Sequence, residues 1–164
     1  GRGTIVSSPV RQGRYAARFE IRPGDNNVAG SGSGERTEAL SCRTFGEGEE
    51  QWWAWSTMFA PDFSASNSGW NIFTQFHNSG TTGGRVEFFV NGSQMYFVTH
   101  GGKLSSPAVR QWKIADRKNG KWYDFVFHVK WSETNVGFVE VRFDAIFRDG
   151  FETGDARIWS SIAP

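Results

Sequence analysis

Two short polar motifs hold the side chains best suited to chemistry. In the segment ERTE at 35–38, strand alternation places Arg36 and Glu38 on one face. In QFH at 75–77, the same alternation gives Gln75 and His77 a common face. An arginine offers a forked donor to a carboxylate, and a histidine exchanges a proton near neutral pH. Such groups suit β-elimination of an acidic sugar, in which binding of the carboxylate lowers the pKa of the C5 proton that a base removes.

Each motif also has a plainer interpretation. Arg36 and Glu38 match an ordinary ion pair on a solvated strand face, which contributes little to stability. His77 alone fits a hydrogen-bonded structural histidine. The alternating polar residues of the strand at 121–131 indicate a solvated face; these are Asp124, His128 and Lys130.

Aromatic residues are unusually frequent. The chain of 164 residues has eight Trp and fifteen Phe, and aromatic residues make up 16% of it. Trp53 and Trp55 belong to the run QWWAWSTMF and are candidates for the rim of a sugar-binding groove, because flat aromatic faces pack against sugar rings. The alternative is that this run belongs to the core, where large aromatics dominate β-sandwiches.

The elements that must position these residues are strands. Alternating or apolar segments separated by Gly-rich turns predict strands at 14–22, 36–41, 51–59, 70–77, 85–90, 94–100, 121–131 and 136–147. Asn91-Gly92 predicts a tight hairpin between two of them. We therefore expect an all-β fold, a two-sheet antiparallel jelly-roll sandwich. The alternation predicts a core that includes Phe19, Ile72, Phe76, Phe125 and Phe127.

Charge, apolar runs and cysteine content narrow the possible partners and locations of the protein. The net charge is only +1, so nothing global indicates a nucleic-acid binder. No apolar run approaches the roughly 18 residues of a membrane span. A single cysteine, Cys42, rules out an internal disulfide. This fits the cytosol or a disulfide-poor bacterial secreted protein, and we expect a secreted or periplasmic location.

Six segments are informative when they are taken together, namely RYAARFEIRPGD, GERTEAL, WWAWSTMFAPDFS, GWNIFTQFH, GKWYDFVFHVKWS and GFVEV. They resemble the heparin-lyase-like polysaccharide lyases, a group that includes glucuronan lyases. The pairing of an RTE strand with a Gln-x-His strand is also similar to the alginate-lyase jelly rolls. The resemblance implies a concanavalin-like jelly roll, an acidic polysaccharide as substrate, cleavage by β-elimination and no required cofactor.

By position, the resemblance assigns a role to each motif residue. Arg36 and Gln75 would neutralise the substrate carboxylate, and Glu38 would orient Arg36. His77 would be the base or a further partner of the carboxylate. His100, on the hairpin, is a candidate for substrate binding.

The sequence departs from the family pattern near its end. Family members continue after the strand matching 139–143 into a motif of the form Tyr-x-Lys-x-Gly-x-Tyr, whose tyrosine is the usual proton donor. Residues 145–164 instead resemble the beginning of such a module, so we divide the chain into a lyase-like domain at 1–144 and a terminal segment at 145–164. A circular rearrangement, a cut between tandem copies or a degenerate fragment would each produce this order. Tyr96, on the hairpin, is the one substitute donor, and we expect a slow lyase.

Three functions remain open at this point. The first is a lyase of uronate-containing polysaccharide, and the second is a non-catalytic carbohydrate-binding or structural module. The third is an assembly subunit whose segment 147–159 completes a neighbour's sandwich by strand addition, a possible route to self-association. In the terminal segment, Glu152 and Asp155 are candidate ligands of a structural calcium ion. A simple turn explains the same pair equally well.

Overall fold

The computed structural model describes residues 2–25, 34–41, 43–65, 71–77, 85–101 and 106–144. Within these ranges the chain forms strands and turns and no helix. The strands are β1 (Gly3–Val6), β2 (Ala16–Phe19), β3 (Glu50–Met58), β4 (Asn71–His77), β5 (Arg85–Asn91), β6 (Gln94–Gly101), β7 (Ala108–Asp116), β8 (Trp122–Lys130) and β9 (Phe138–Phe143).

The strands form three sheets in which every pairing is antiparallel. A two-stranded sheet pairs β1 with β2, a three-stranded sheet has the order β3-β8-β9, and a four-stranded sheet has the order β4-β5-β6-β7. The two larger sheets pack face to face, since Trp55 of β3 meets Phe88 of β5 with ring centroids 5.2 Å apart. The predicted all-β jelly-roll sandwich is therefore confirmed, although the N-terminal strands form a small sheet of their own.

The core between the two larger sheets is largely aromatic. Phe88, Phe125 and Phe127 have no exposed surface, as the alternation predicts for the last two. Phe76 is half-buried and packs against Phe127, with centroids 4.9 Å apart. The remaining fully or nearly buried members of the cluster are Phe59, Val86, Val90, Met95, Phe97, Tyr123 and Val129.

Two of the predicted core residues are wrong. Phe19 is 47% exposed, because β2 pairs with β1 in the separate two-stranded sheet. Ile72 is 37% exposed, because β4 contains a bulge. The register shifts between Ile72 and Thr74, so the extra residue, Phe73, turns inward and packs against Phe125 at 5.7 Å.

Several predicted strand boundaries also need correction. The segment 36–41 is not a strand, and β1 and β7 were missed by the sequence patterns. The hairpin between β5 and β6 is confirmed, with Asn91 opposite Gln94. Its turn is centred on Gly92 and Ser93, and Gly92 supplies the positive φ of 55°. Residues 145–164, including the proposed terminal segment, lie outside the described residues.

Candidate functional site

The four-stranded sheet turns one face to the core and the other face away from it, and we call the second its outer face. In β4, Phe76 pairs with buried Val86 on the core side. Gln75 and His77 therefore lie on the outer face, and both are exposed. This agrees with the alternation predicted for the QFH motif.

Register with β5 and β6 arranges the outer face in rows across the strands. Gln75 lies opposite Glu87, and Glu87 lies opposite Val98. A second row holds Phe89 and Tyr96. A third row holds His77 and His100. His77 of β4 pairs with position 85 of β5, and the register between β5 and β6 continues so that position 85 lies opposite His100. The four predicted residues on this face are Gln75, His77, Tyr96 and His100.

Glu87 is the acidic residue in the middle of this face. It is only 3% exposed, although it lies on the side of the sheet that faces away from the core. The Gln75 amide donates from Nε2 to Glu87 Oε1 at 3.3 Å. The sequence analysis missed Glu87. Alternation in RVEFFV separates Glu87 from Val86 and Phe88, but only the register between β4 and β5 places it beside Gln75.

Tyr96 is held by two neighbours. Its ring stacks on Phe89 with centroids 5.2 Å apart and planes 17° from parallel. Its hydroxyl donates to Gln94 Oε1 on the same strand. On the other side, Tyr96 lies opposite Lys113 of β7, a further outer-face residue that the sequence analysis missed together with its strand.

Spacing along the sheet separates Tyr96 from His77. Adjacent strands lie about 4.8 Å apart, and residues on a strand advance about 3.4 Å each. Two strands and four residues place the two Cα atoms about 17 Å apart. His100 lies in the same row as His77, at about 10 Å by the same spacing.

Arg36 and Glu38 lie outside the four-stranded sheet. They belong to an irregular segment, and Arg36 Nη1 lies 3.6 Å from Glu38 Oε1. The backbone N–H of Arg36 donates to the carbonyl of Asp25, and the Thr37 hydroxyl donates to the carbonyl of Glu20. Their approach to Gln75 and His77 on a common groove stays a prediction.

Trp53 and Trp55 lie between the sheets, which corrects the expectation that one of them lines the rim of the groove. Trp53 packs edge to face on Phe76, and Trp55 stacks on Phe125 at 5.2 Å. Both contacts are on the core side, so the two indoles lie behind Gln75 and His77. A shallow depression of about 310 Å³ opens beside β3, and no outer-face residue lines it; its lining consists of Arg43, Phe45, Glu50, Gln51, Trp52 and Trp53.

An ion pair with a buried carboxylate lies on the three-stranded sheet. Asp124 is 5% exposed and accepts bonds from Arg11 Nε and Nη2 at 3.1 and 2.7 Å and from the Ser56 hydroxyl at 2.6 Å. Burial raises the pKa of Asp124, but the bonds from Arg11 and Ser56 and the Arg11 charge outweigh it and lower that pKa. Asp124 is thus a buried partner of the N-terminal segment, which corrects its assignment to a solvated face.

His128, also expected on a solvated face, is largely enclosed. It stacks on Trp52 with ring centroids 3.7 Å apart, and its side chain is 13% exposed. Its Nδ1 faces Glu140 at 3.0 Å, and its Nε2 faces Glu50 at 2.7 Å. This cluster joins β3, β8 and β9 on the side of the molecule away from Gln75.

In the described ranges, no group of three acidic, histidine or cysteine side chains is placed to bind a metal ion. No helix in the same ranges is long and apolar enough to cross a membrane. Glu152 and Asp155, the calcium candidates, lie outside the described residues.

Comparison with known proteins identifies the family of this chain. A family model described as polysaccharide lyase matches residues 1–150. The chain belongs to the polysaccharide lyase family. No curated protein matches it significantly.

A solved structure agrees with this membership at the level of the fold. The polysaccharide lyase chain superposes on the crystal structure of an endo-β-1,4-glucuronan lyase from the fungus Trichoderma reesei with a TM-score of 0.68 and 22% identity. The match covers 88% of this chain and 65% of the fungal one. At this identity the likeness establishes the shared fold, and the chain spans less than two thirds of the fungal protein.

Proposed function

We propose that this polysaccharide lyase domain binds uronate-containing polysaccharide along the outer face of the four-stranded sheet. The observation that carries the proposal is the placement of Gln75, His77, Tyr96 and His100 on that one face. Hydrogen-bonding and proton-exchanging side chains spread over three rows suit an extended chain of polar rings. The glucuronan lyase of the same fold makes glucuronan the first polymer to test.

The proposed reaction is β-elimination. Arg36 binds the uronate carboxylate, and Gln75 holds a polar group of the same sugar. His77 removes the proton from C5, the released electron pair forms the C4–C5 double bond, and the C4–O4 bond breaks. The leaving oxygen then takes a proton from an acid. A positioned base and a positioned acid each typically contribute about 10²–10⁴-fold to the rate of such a reaction.

The identity of that acid separates the proposal from its alternative. The Tyr96 hydroxyl donates to Gln94, and its strand position is about 17 Å from that of His77, too far for both to act on one glycosidic bond. His100 is the nearer candidate. This observation favours a second function, a carbohydrate-binding module in which the outer face binds the polymer but lacks an effective proton donor.

A polymer substrate also bears on location. Polysaccharides of this kind are outside the cell, so the proposed function agrees with a secreted or periplasmic protein. The proposed partner is an acidic polysaccharide, with neither nucleic acid nor membrane involved.

One experiment separates the functions. The chain is incubated with glucuronan, alginate and heparin, and the ultraviolet absorbance of the unsaturated product is followed while binding is measured by calorimetry. Binding with slow or no product supports the module, and binding with product supports the lyase. No binding to any of the three polymers overturns both.

The matched control is a substitution on the other side of the molecule. Trp52→Ala removes an exposed aromatic side chain that lies on the three-stranded sheet. It should leave both binding and product formation unchanged if the outer face of the four-stranded sheet is the site.

A further inference from the structure

Glu87 is a buried carboxylate in the middle of the proposed binding face. It is 3% exposed, whereas its cross-strand neighbour Gln75 is exposed. On its other side it lies opposite Val98, which is 4% exposed. A buried carboxylate is costly unless hydrogen bonds satisfy it. Because Glu87 lies among the proposed ligand-contacting residues, we expect it to have a role in binding as well as in packing.

The contact between Glu87 and Gln75 fixes the orientation of the Gln75 side-chain amide. An ionised carboxylate only accepts hydrogen bonds, so Gln75 must present its Nε2 to Glu87, as it does at 3.3 Å. The amide cannot rotate by 180° without directing its carbonyl oxygen at the carboxylate. Because Oε1 and Nε2 diverge from one carbon atom, Oε1 then points away from Glu87.

We propose that Glu87 is a positioning residue that sets the amide orientation with which Gln75 meets a sugar. The proposal rests on the proposed function, since it assigns Gln75 to ligand binding. With the amide fixed, Gln75 offers its carbonyl oxygen and one remaining Nε2 hydrogen to the ligand. A hydroxyl that donates to Oε1 then becomes the preferred partner, and the uronate carboxylate is left mainly to Arg36.

The charge of Glu87 has a second, opposing effect. A negative charge near the binding face repels an acidic ligand, and its removal strengthens binding. That repulsion does not depend on the side chain at position 75. The positioning effect does depend on the side chain at position 75, because it acts only through the Gln75 amide. A double-mutant cycle between the two positions therefore isolates the positioning effect.

The cycle uses the whole chain and an oligosaccharide prepared from glucuronan. The dissociation constant is measured by calorimetry for the unsubstituted chain, Glu87→Gln, Gln75→Ala and the double variant. We expect Glu87→Gln to raise the dissociation constant about three- to tenfold more with Gln75 present than in the Q75A background, the range for one hydrogen bond. An equal ratio in both backgrounds overturns the inference alone. No saturable binding by the unsubstituted chain overturns the proposed function, and the inference with it.

A second variant keeps the test valid if Glu87→Gln fails to fold. Glu87→Asp retains the charge but withdraws the carboxylate from Gln75, so it should show the same dependence on Gln75. The matched control is Asp124→Asn, which alters an equally buried carboxylate of the three-stranded sheet. It should lower the unfolding temperature and leave the dissociation constant unchanged. If Asp124→Asn weakens binding as much as Glu87→Gln does, a general loss of structure explains both and the inference is overturned.

Discussion

Trp53 and Phe76 meet edge to face across the space between the two larger sheets, with ring centroids 5.3 Å apart and planes at 69°. Phe76 lies between Gln75 and His77 in the sequence, so the contact that anchors β4 to the core also turns these two side chains outward. Packing in the interior thus determines what the binding face presents.

Loss of a core aromatic should destabilise the domain severely. Phe88 has no exposed surface and contacts rings from both large sheets, so Phe88→Ala should cost about 3–5 kcal/mol. Urea denaturation followed by tryptophan fluorescence measures the change. Phe19→Ala, at a half-exposed position of the small sheet, is the control and should cost far less. Equal losses would contradict the observed core.

The ion pair of Arg11 and Asp124 should make stability depend on pH. The pKa of Asp124 is lowered in the folded protein, so its contribution is complete above the unfolded value of about 3.9 and is lost as pH falls through the folded value. Arg11→Ala should cost about 1–2 kcal/mol near neutral pH, because the arginine is half exposed and the aspartate is buried. Urea midpoints of the two proteins should converge in acid. A constant difference across the acid range would show that Arg11 acts through packing alone.

Arg36 should bind the ligand carboxylate. Arg36→Ala is expected to weaken binding of an acidic oligosaccharide by about 1.5–3 kcal/mol, the scale of a charged hydrogen bond. Arg18→Ala serves as the control, since Arg18 is an exposed arginine of β2 whose side chain is 62% accessible. Calorimetric titration of both variants decides the matter: similar small losses would indicate a non-specific effect of charge.

His77 and Tyr96 should differ in their effect on turnover. If the chain forms unsaturated product, His77→Ala should slow it by about 10²–10⁴-fold, as for the loss of a positioned base. Tyr96→Phe should leave the rate unchanged, because the hydroxyl already donates to Gln94 on its own strand. The initial rate of absorbance increase measures both. A complete loss of product formation in Tyr96→Phe would identify this tyrosine as the donor after all.

The sequence was most informative where strands alternate regularly between two environments. The QFH motif and the runs around Phe125 and Phe127 follow period two in the structure, because both large sheets have one core face. Alternation failed for Phe19, since an amphipathic strand reveals which residues share a face and not whether another sheet covers that face.

The site was predictable only in part, for a similar reason. Gln75 and His77 could be placed on one face from their spacing alone. Glu87 becomes visible only once the register between β4 and β5 is known, because its contact with Gln75 crosses twelve residues of sequence. Arg36 is the opposite case, because its spacing to Glu38 indicated a strand but the segment is irregular. The Arg36 backbone N–H donates to the Asp25 carbonyl, and the Thr37 hydroxyl donates to the Glu20 carbonyl.

The bulge at Phe73 determines which side chains of β4 reach the binding face. Ile72 pairs with Phe89, and the extra residue lets Gln75 rather than Thr74 meet Glu87. If the same residues followed a regular ladder from Ile72, Gln75 and His77 would turn toward the aromatic core and Phe76 toward solvent. A relative that lacks one residue here needs no bulge to keep Gln75 opposite Glu87, whereas a relative that has the residue must keep the bulge as well. The number of residues between Asn71 and Gln75 therefore shows which relatives depend on the bulge for this surface.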